Sequence, residues 1–131
     1  MSKPVLDATL ITPEEKEIQA KVLVDSGSFY SIIRENLLPE GTSVIRYKTP
    51  REFGTAGQVG KVKITGTTYL IIKVGGKMID ESVCVCPDLK SNMLIGSGTM
   101  QHWDITLQNK NGKTEVIFGR DMRDPEITEV V

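Results

Sequence analysis

The sequence predicts a single all-β domain. Apolar runs of about four to eight residues recur along the chain, and clusters of Gly, Pro, Asn and Asp separate them. An Asn111-Gly112 pair between two such runs is typical of a β-hairpin. The length of 131 residues is enough for one domain with a modest core and too short for two.

The N-terminal part of the chain predicts a hairpin that ends at Asp25. Val5–Ile11 is a mixed apolar run, and residues 12–15 have the composition of a turn. Ile18–Val24 first alternates and then becomes continuously apolar, as a strand does when it enters a core. Residues 28–38 predict a short strand followed by a helical turn.

The rest of the chain predicts further strands after a polar, glycine-containing segment at residues 51–66. A Gly75-Gly76 turn joins two of these strands, and a short helix is expected at residues 99–102. The predicted strands are Thr67–Val74, Met78–Cys86, Met93–Ile95, Ile105–Gln108 and Thr114–Phe118. We assign residues 1–119 to the domain and expect the charged residues 120–131 to form a loosely held tail.

Charge and hydropathy exclude several classes of function. The net charge of −1 provides no basic field for nucleic acid, and no apolar stretch approaches the roughly 18 residues of a membrane span. We therefore expect no nucleic-acid partner and no membrane partner. The first four residues do not have the pattern of a secretory signal, so we expect a cytoplasmic rather than a secreted protein.

The two cysteines predict neither a disulfide nor a metal site. Cys84 and Cys86 stand two apart on a predicted strand, where their side chains share a face in a poor geometry for bridging to each other. Zinc would need two further soft ligands, and the sequence offers only His102. We expect buried free thiols, which fits a reducing compartment.

The strongest local signal is Asp25-Ser26-Gly27-Ser28, at the end of an apolar strand. A carboxylate in this position is poorly solvated, which makes its protonated form accessible. The Ser26 hydroxyl can hydrogen-bond across a tight turn, and Gly27 lets a peptide backbone approach closely. Taken alone, however, these residue types favour an ordinary β-turn.

Two further signals follow in the chain. The glycine-bearing segment Gly54-Thr55-Ala56-Gly57 is compatible with a mobile lid and equally with an ordinary flexible loop. The run Met93-Leu94-Ile95-Gly96, followed by the short helix, indicates by itself only a buried strand that enters a turn. Neither segment defines a function without the other signals.

The order of the three signals resembles the retropepsin family of aspartic proteases. The resemblance covers roughly Ile18 to Leu107, and Ser after the Asp together with Gly-Ser after the apolar pair is most similar to the LTR-retrotransposon branch. It implies a closed, β-barrel-like subunit with one short helix that works as a homodimer. It also implies an extended polypeptide substrate, with a polyprotein as one candidate, and no metal or organic cofactor. An intracellular particle is then a further candidate location.

The resemblance implies a role for each site residue. Asp25 would be the catalytic acid and base, and Ser26 would brace the two active-site turns against each other. Gly27 and Ser28 would line the substrate backbone. The flap tip would comprise Gly54, Thr55, Ala56 and Gly57. Hydrophobic substrate pockets would draw on Ile32, Ile33, Leu94 and Ile95.

Two positions depart from the retroviral branch of the family. Phe29 stands where an acidic residue is usual, and Ser97 stands where an arginine is usual. Since those two groups typically pair with each other, the loss of both leaves no stranded charge. Without these two residues, the ion pair cannot stabilise the dimer or help to bind the substrate backbone. We expect Phe29 to replace it by packing.

This chemistry needs two carboxylates around one water, and the chain contains Asp-Ser-Gly once. A symmetric dimer supplies a second Asp25 without additional sequence. We expect the predicted hairpin from Ile105 to Phe118 to dominate dimerisation. Truncation after Gln108 should then give an inactive monomer.

Two alternatives stay open at this point. One is a catalytically inactive binding or dimerisation module with the same fold, in which Asp25 is only a turn residue. The other is a monomeric all-β ligand-binding barrel in which Asp-Ser-Gly is incidental. Sedimentation separates the monomeric barrel from a dimer, and peptide cleavage separates the enzyme from the inactive module.

Overall fold

The computed structural model describes residues 3–54 and 61–124. Within these ranges the chain forms nine strands, one short α-helix, α1 (Ser97–His102), and one 3₁₀ turn (Glu35–Leu37). The strands are β1 (Val5–Ile11), β2 (Glu17–Val24), β3 (Ile32–Arg34), β4 (Ile45–Gly54), β5 (Lys61–Val74), β6 (Lys77–Cys86), β7 (Met93–Ile95), β8 (Ile105–Lys110) and β9 (Lys113–Phe118). The predicted all-β class with one short helix is confirmed.

Six strands close into a barrel-like ring in the order β1-β2-β7-β3-β6-β5, because β1 pairs with β5 as well as with β2. β4 lies outside this ring and, among the described residues, pairs only with β5. The pairings β2–β7 and β3–β6 are parallel. Parallel strands end at the same edge of a sheet. Val24 and Ile95, the last residues of β2 and β7, lie opposite each other. The segments that follow the two strands therefore begin side by side.

The main core fills the ring because buried and exposed side chains alternate along the strands. In β2, Ile18, Ala20, Val22 and Val24 are buried while the charged and amide side chains between them are exposed. Matching inward residues come from β1, β5 and β6, and Trp103 and Phe118 complete the same cluster from the C-terminal part. Each fully buried aliphatic side chain stabilises the fold by about 1.5–3 kcal/mol.

A second, smaller core lies beneath the β4–β5 ribbon. Its buried members are Ile32, Ile64, Cys86 and Leu89. The partly buried residues packed against it include Phe53 from β4 and Leu94 from β7. The ribbon is thereby tied by apolar contacts to the strands that flank the Asp25 turn.

Several boundaries differ from those that the sequence predicts. β5 begins at Lys61 rather than Thr67, because its polar first half pairs with β4 and satisfies its backbone there. β8 and β9 meet at a two-residue turn, Asn111-Gly112, in which both residues have positive φ, 53° and 76°. α1 begins at Ser97, two residues before the predicted start, after Gly96 in an extended conformation.

The start of the C-terminal tail is held to the body, in contrast to the expectation of a loosely held segment from residue 120. Asp121 is only 4% exposed, and its Oδ2 accepts a hydrogen bond from the backbone N–H of Met78 at 2.7 Å. Arg123 donates to both carboxylate oxygens of Asp121. The buried, paired carboxylate anchors residues 120–124, which composition alone could not show. The remainder of the tail lies outside the described residues.

Candidate active site

Asp25 is placed by the parallel pairing of β2 with β7. Its backbone N–H donates to the carbonyl oxygen of Ile95 at 2.8 Å, which continues the strand pairing one residue beyond β2. Val22 and Val24 before it are both buried, and Val22 belongs to the main core. Asp25 therefore has a rigid backbone, while its side chain lies at the surface end of the ring.

The residues after Asp25 form a turn closed on the Asp25 carboxylate. Oδ1 of Asp25 accepts a hydrogen bond from the backbone N–H of Gly27 at 3.0 Å. The backbone carbonyl oxygen of Asp25 accepts a hydrogen bond from the Ser28 N–H at 3.1 Å. A Cβ on residue 27 would lie 3.2 Å from Oδ1, so glycine gives the carboxylate room in this turn. The turn fixes the orientation of the carboxylate.

The other carboxylate oxygen of Asp25 is paired with a cation. Nζ of Lys3 donates to Oδ2 at 2.9 Å, and the Asp25 side chain is 14% exposed. Lys3 immediately precedes Pro4, whose carbonyl oxygen accepts from Val24 N–H at 2.9 Å. The N-terminal segment thus runs alongside the Asp25 turn. The motifs singled out in the sequence did not include Lys3, because the contact depends on strand pairing across 22 residues.

The Asp25 loop is fused to the turn between β7 and α1. The backbone N–H of Ser97 donates to the Ser28 carbonyl oxygen at 2.6 Å, and that of Gly98 donates to Phe29 at 3.0 Å. A Cβ on Gly96 would meet the carbonyl oxygens of Ser28, Phe29 and Tyr30 at 2.5–2.6 Å. Only glycine permits this approach, which explains the Gly96 that the sequence singled out.

A pair of buried hydroxyls lies beneath this junction. Oγ of Ser31 and Oγ1 of Thr99 share a hydrogen bond of 2.6 Å, and the Gly96 N–H donates to Ser31 at 3.0 Å. Both side chains are buried. They join β7, α1 and the Asp25 loop, and nothing in the local sequence distinguishes them from ordinary polar residues.

The other predicted site residues are placed as follows. Ser26 and Gly27 are exposed and Ser28 is half-buried beside Asp25, so all three are accessible from the surface. Gly54 is the last residue of β4, whereas Thr55, Ala56 and Gly57 lie outside the described residues. The roles given to these residues stay predictions.

The expected hydrophobic pocket residues divide between two cores. Ile32 and Leu94 belong to the small core under the β4–β5 ribbon, where Leu94 is partly exposed. Ile33 and Ile95 are 0% exposed in the main core and present no surface to a ligand, which corrects the expectation for both. Side chains alternate along these short strands, so neighbours necessarily face opposite sides.

Phe29 packs at the start of α1. A Cβ on Gly98 would lie 3.2 Å from Cζ of Phe29, so the ring lies directly against that glycine. The Phe29 and Tyr30 rings meet edge to face at 5.1 Å between centroids. The replacement of the retroviral ion pair by this packing stays a prediction.

Neither cysteine is set up as a nucleophile. Burial raises the pKa of the Cys84 thiol and, likewise, the pKa of the Cys86 thiol, so both stay protonated at neutral pH. Both are free thiols. Among residues 3–54 and 61–124 no cluster of three His, Cys, Asp or Glu side chains could hold a metal ion. In the same part of the chain no helix is long and apolar enough to cross a membrane.

Comparison with known families identifies the class of this chain. The model of the retroviral aspartyl protease family matches residues 2–108. Because the match spans most of the chain, the chain belongs to this family. The retropepsin resemblance predicted from the sequence is confirmed. No curated protein sequence matches the chain.

Two solved structures share the fold. The retroviral protease-like domain of Ddi1 from Leishmania major superposes with a TM-score of 0.55 at 17% identity, covering 94% of this chain and 98% of that domain. The EIAV protease, solved with the inhibitor HBY-793, gives a TM-score of 0.57 at 19% identity, covering 82% of this chain and 94% of that one. Identities this low establish the fold alone. The predicted barrel-like retropepsin fold is confirmed for the subunit.

Proposed function

We propose that the protein is an aspartic endopeptidase that acts as a homodimer on extended polypeptides. The observation that carries the proposal is the Asp25 carboxylate, which is fixed by the Gly27 N–H at the surface end of a buried strand. Family membership supports the same reaction type. We further propose the LTR-retrotransposon branch and an intracellular location, which rest on motif and composition alone.

Hydrolysis in this chemistry uses a pair of carboxylates around one water. One carboxylate takes a proton from the water while the other, protonated, polarises the scissile carbonyl. Asp25 is the one aspartate of the chain in an Asp-Ser-Gly turn. A twofold axis beside Asp25 supplies the second carboxylate, and the exposed Ser26 side chain of each turn then faces the other turn.

The β8–β9 hairpin supports a dimeric assembly. Among the described residues it forms a two-stranded sheet of its own that is not paired with the seven-stranded sheet. Its base packs in the main core through Ile105 and Phe118. Leu107 and Ile117 are each 37% exposed on it, which leaves apolar surface available to a second subunit.

The β4–β5 ribbon supports the flap role. Its strands are anchored through Phe53 and Val62 to the small core beside the Asp25 turn. The segment between them is the one predicted to cover the substrate. Closure over a bound peptide would exclude water from the carboxylate pair and strengthen its electrostatics.

The proposal is tested by cleavage of a diverse peptide library from acidic to neutral pH, because the reaction uses one protonated and one ionised carboxylate. Asp25→Asn should abolish cleavage while sedimentation velocity still shows a dimer. The matched control is Asp7→Asn, at an exposed carboxylate paired with Lys21 on β1 and β2. A hydroxyl-bearing peptide analogue of the transition state should inhibit the active enzyme.

A dimer that binds peptides without cleaving them would instead indicate the inactive binding module. The ion pair between Lys3 and Asp25 favours this inactive module, because it occupies one oxygen of the carboxylate. Cleavage that survives in Asp25→Asn would refute the catalytic assignment. A strictly monomeric protein would refute the dimeric mechanism.

A further inference from the structure

The peptide unit between Ile95 and Gly96 connects the backbone of Asp25 to a buried hydroxyl. Its carbonyl oxygen, on Ile95, accepts a hydrogen bond from the backbone N–H of Asp25 at 2.8 Å. Its N–H, on Gly96, donates to Oγ of Ser31 at 3.0 Å. Because a peptide unit is planar, a rotation that moves the N–H also moves the carbonyl oxygen. The Ser31 hydroxyl therefore acts on the position of the Asp25 backbone through one rigid group.

Thr99 extends this chain of hydrogen bonds into α1. Its Oγ1 shares a hydrogen bond of 2.6 Å with Oγ of Ser31. Ser31 is 5% exposed and Thr99 is 3% exposed, so both hydroxyls are shielded from bulk water. Consecutive hydrogen bonds polarise one another, and in a low-dielectric interior each is electrostatically stronger than in water. Ser31 and Thr99 are called the hydroxyl pair below.

The Asp25 loop packs against the same peptide from the other side. A Cβ on Gly96 would meet three carbonyl oxygens of this loop at 2.5–2.6 Å. The next backbone N–H, on Ser97, donates to the Ser28 carbonyl oxygen at 2.6 Å. A rotation of the Ile95–Gly96 peptide would therefore displace both the backbone of Asp25 and the loop that follows it.

The proposed reaction depends on where this turn lies. The Gly27 N–H holds Oδ1 of Asp25 inside the turn, so the carboxylate moves together with the turn. Two carboxylates that share one water need a fixed separation, and a misplacement of about 1 Å can lower a rate by about a hundredfold. Side chains that fix the turn therefore affect the chemical step without contacting the substrate.

We infer that Ser31 and Thr99 are positioning residues for the proposed reaction. The hydroxyl pair sets the orientation of the Ile95–Gly96 peptide and, through that peptide, the position of the Asp25 carboxylate. The inference rests on the proposed function, because it takes Asp25 to be the reacting group.

The kinetic test compares two substitutions of Thr99. Thr99→Val removes the hydroxyl and keeps the volume and branching of the side chain, whereas Thr99→Ser keeps the hydroxyl and removes the methyl group. Thr99→Val should lower kcat by about threefold or more and change KM by less than about twofold. Thr99→Ser should retain the kcat of the unmodified protein. Ser31→Ala, which removes the acceptor of the Gly96 N–H, should lower kcat by about tenfold or more.

Hydrogen exchange of the Asp25 backbone amide, followed by NMR, tests the same connection without turnover. The exchange rate of Asp25 is divided by that of Ile72, a fully buried residue of β5, which separates local loosening from a general loss of stability. This ratio should rise by about tenfold in Ser31→Ala and by about threefold in Thr99→Val. Thr99→Ser should leave it unchanged.

Thr68→Val is the matched control in both experiments. Thr68 lies on β5 and is 4% exposed, and its Oγ1 donates to the carbonyl oxygen of Ser43 at 2.7 Å. The substitution removes a buried hydroxyl of the same kind that is not part of the hydrogen-bond chain to Asp25. It should change neither kcat nor the exchange ratio of Asp25.

Several outcomes would overturn the inference. Equal kcat values for Thr99→Val and Thr99→Ser would assign Thr99 to packing alone, and so would a rise in KM at unchanged kcat. An unchanged exchange ratio in both Ser31→Ala and Thr99→Val would also overturn it. If Ser31→Ala fails to fold, the two Thr99 variants decide by themselves. Absence of cleavage by the unmodified protein would overturn the proposed function, while the exchange ratio would still decide whether the hydroxyl pair holds the Asp25 backbone.

Discussion

Nζ of Lys3 lies 2.9 Å from Oδ2 of Asp25, so the candidate catalytic carboxylate already has a cationic partner within its own subunit. The Lys3 side chain is 51% exposed, and the pair is therefore accessible to solvent and to salt. In a dimer the partner's carboxylate approaches the same region. The ion pair then occupies one oxygen of a carboxylate that the proposed mechanism needs for the attacking water.

Replacing Lys3 by Gln should therefore raise the rate of cleavage. Without the cation, Oδ2 of Asp25 is free to hold the attacking water. An exposed pair is worth about 0.2–1 kcal/mol, which corresponds to a change of up to about fivefold in rate. The measurement is kcat/KM at one fixed pH, at low and at high ionic strength.

Lys3→Arg is the matched control for this prediction. It keeps the charge and should preserve the kcat/KM of the unmodified protein. The difference between Lys3→Gln and Lys3→Arg should shrink as salt is added, since exposed charges are screened. Equal kcat/KM values for both variants at low salt would show that Lys3 does not pair with Asp25 in the active dimer.

The sequence was informative about the active-site turn and uninformative about what surrounds it. Asp25-Ser26-Gly27 stood out because an apolar strand runs into it, and the structure places it at a strand end. The sequence shows Gly96 only as a glycine. The structure shows why glycine is needed there, because carbonyl groups distant in sequence lie where a Cβ would be. The ion pair of Lys3 and the Ser31–Thr99 hydrogen bond likewise depend on tertiary pairing.

Burial separates the predicted pocket residues into two groups. The sequence predicts that Ile32, Ile33, Leu94 and Ile95 contribute to hydrophobic substrate pockets. In the structure their alternation sends Ile33 and Ile95 into the main core. Sequence pattern identifies such residues as apolar, but the choice of face requires the strand register.

Gly96→Ala should destabilise the fold strongly. The added Cβ would lie 2.5–2.6 Å from three backbone carbonyl oxygens, which cannot move without shifting the Asp25 loop. We expect a loss of about 3 kcal/mol or more in the free energy of unfolding, the upper range for overpacking. Urea denaturation measures it.

Gly76→Ala is the control for that substitution. No atom lies within 4 Å of a Cβ there, and its φ is not positive. Its stability should change by no more than about 1 kcal/mol, with a gain expected from the lower entropy of the unfolded chain. Equal midpoints for the two variants would contradict the steric account of Gly96.

Substitution of the apolar hairpin residues should dissociate the proposed dimer. Leu107→Asp with Ile117→Asp places two charges on surface that we propose to be covered by the partner, so the sedimentation coefficient should fall to that of a monomer and cleavage should be lost. Truncation after Gln108 should have the same effect. It also removes the core residue Phe118, so the point variants are the sharper test.

Tyr69→Ser, which alters a side chain of similar exposure far along β5, should stay dimeric and active. A Leu107→Asp, Ile117→Asp protein that remains a fully active dimer would assign dimerisation to another surface.

Asp121→Asn should lower stability at neutral pH and have a smaller effect in acid. The Arg123 side chain, which donates to both Asp121 oxygens, holds the pKa of Asp121 far below its usual range. Because the folded-state pKa is lower than the unfolded value of about 3.9, the stabilisation by the ionised group is fully present above that pH and is lost as pH falls towards the folded-state pKa. Urea midpoints should therefore differ most between Asp121→Asn and the unmodified protein at pH 7, and the difference should shrink steadily as pH is lowered below about 3.9. The exposed control Asp7→Asn should show only a small difference at either pH, and an Asp121→Asn deficit that is independent of pH would assign the effect to packing rather than charge.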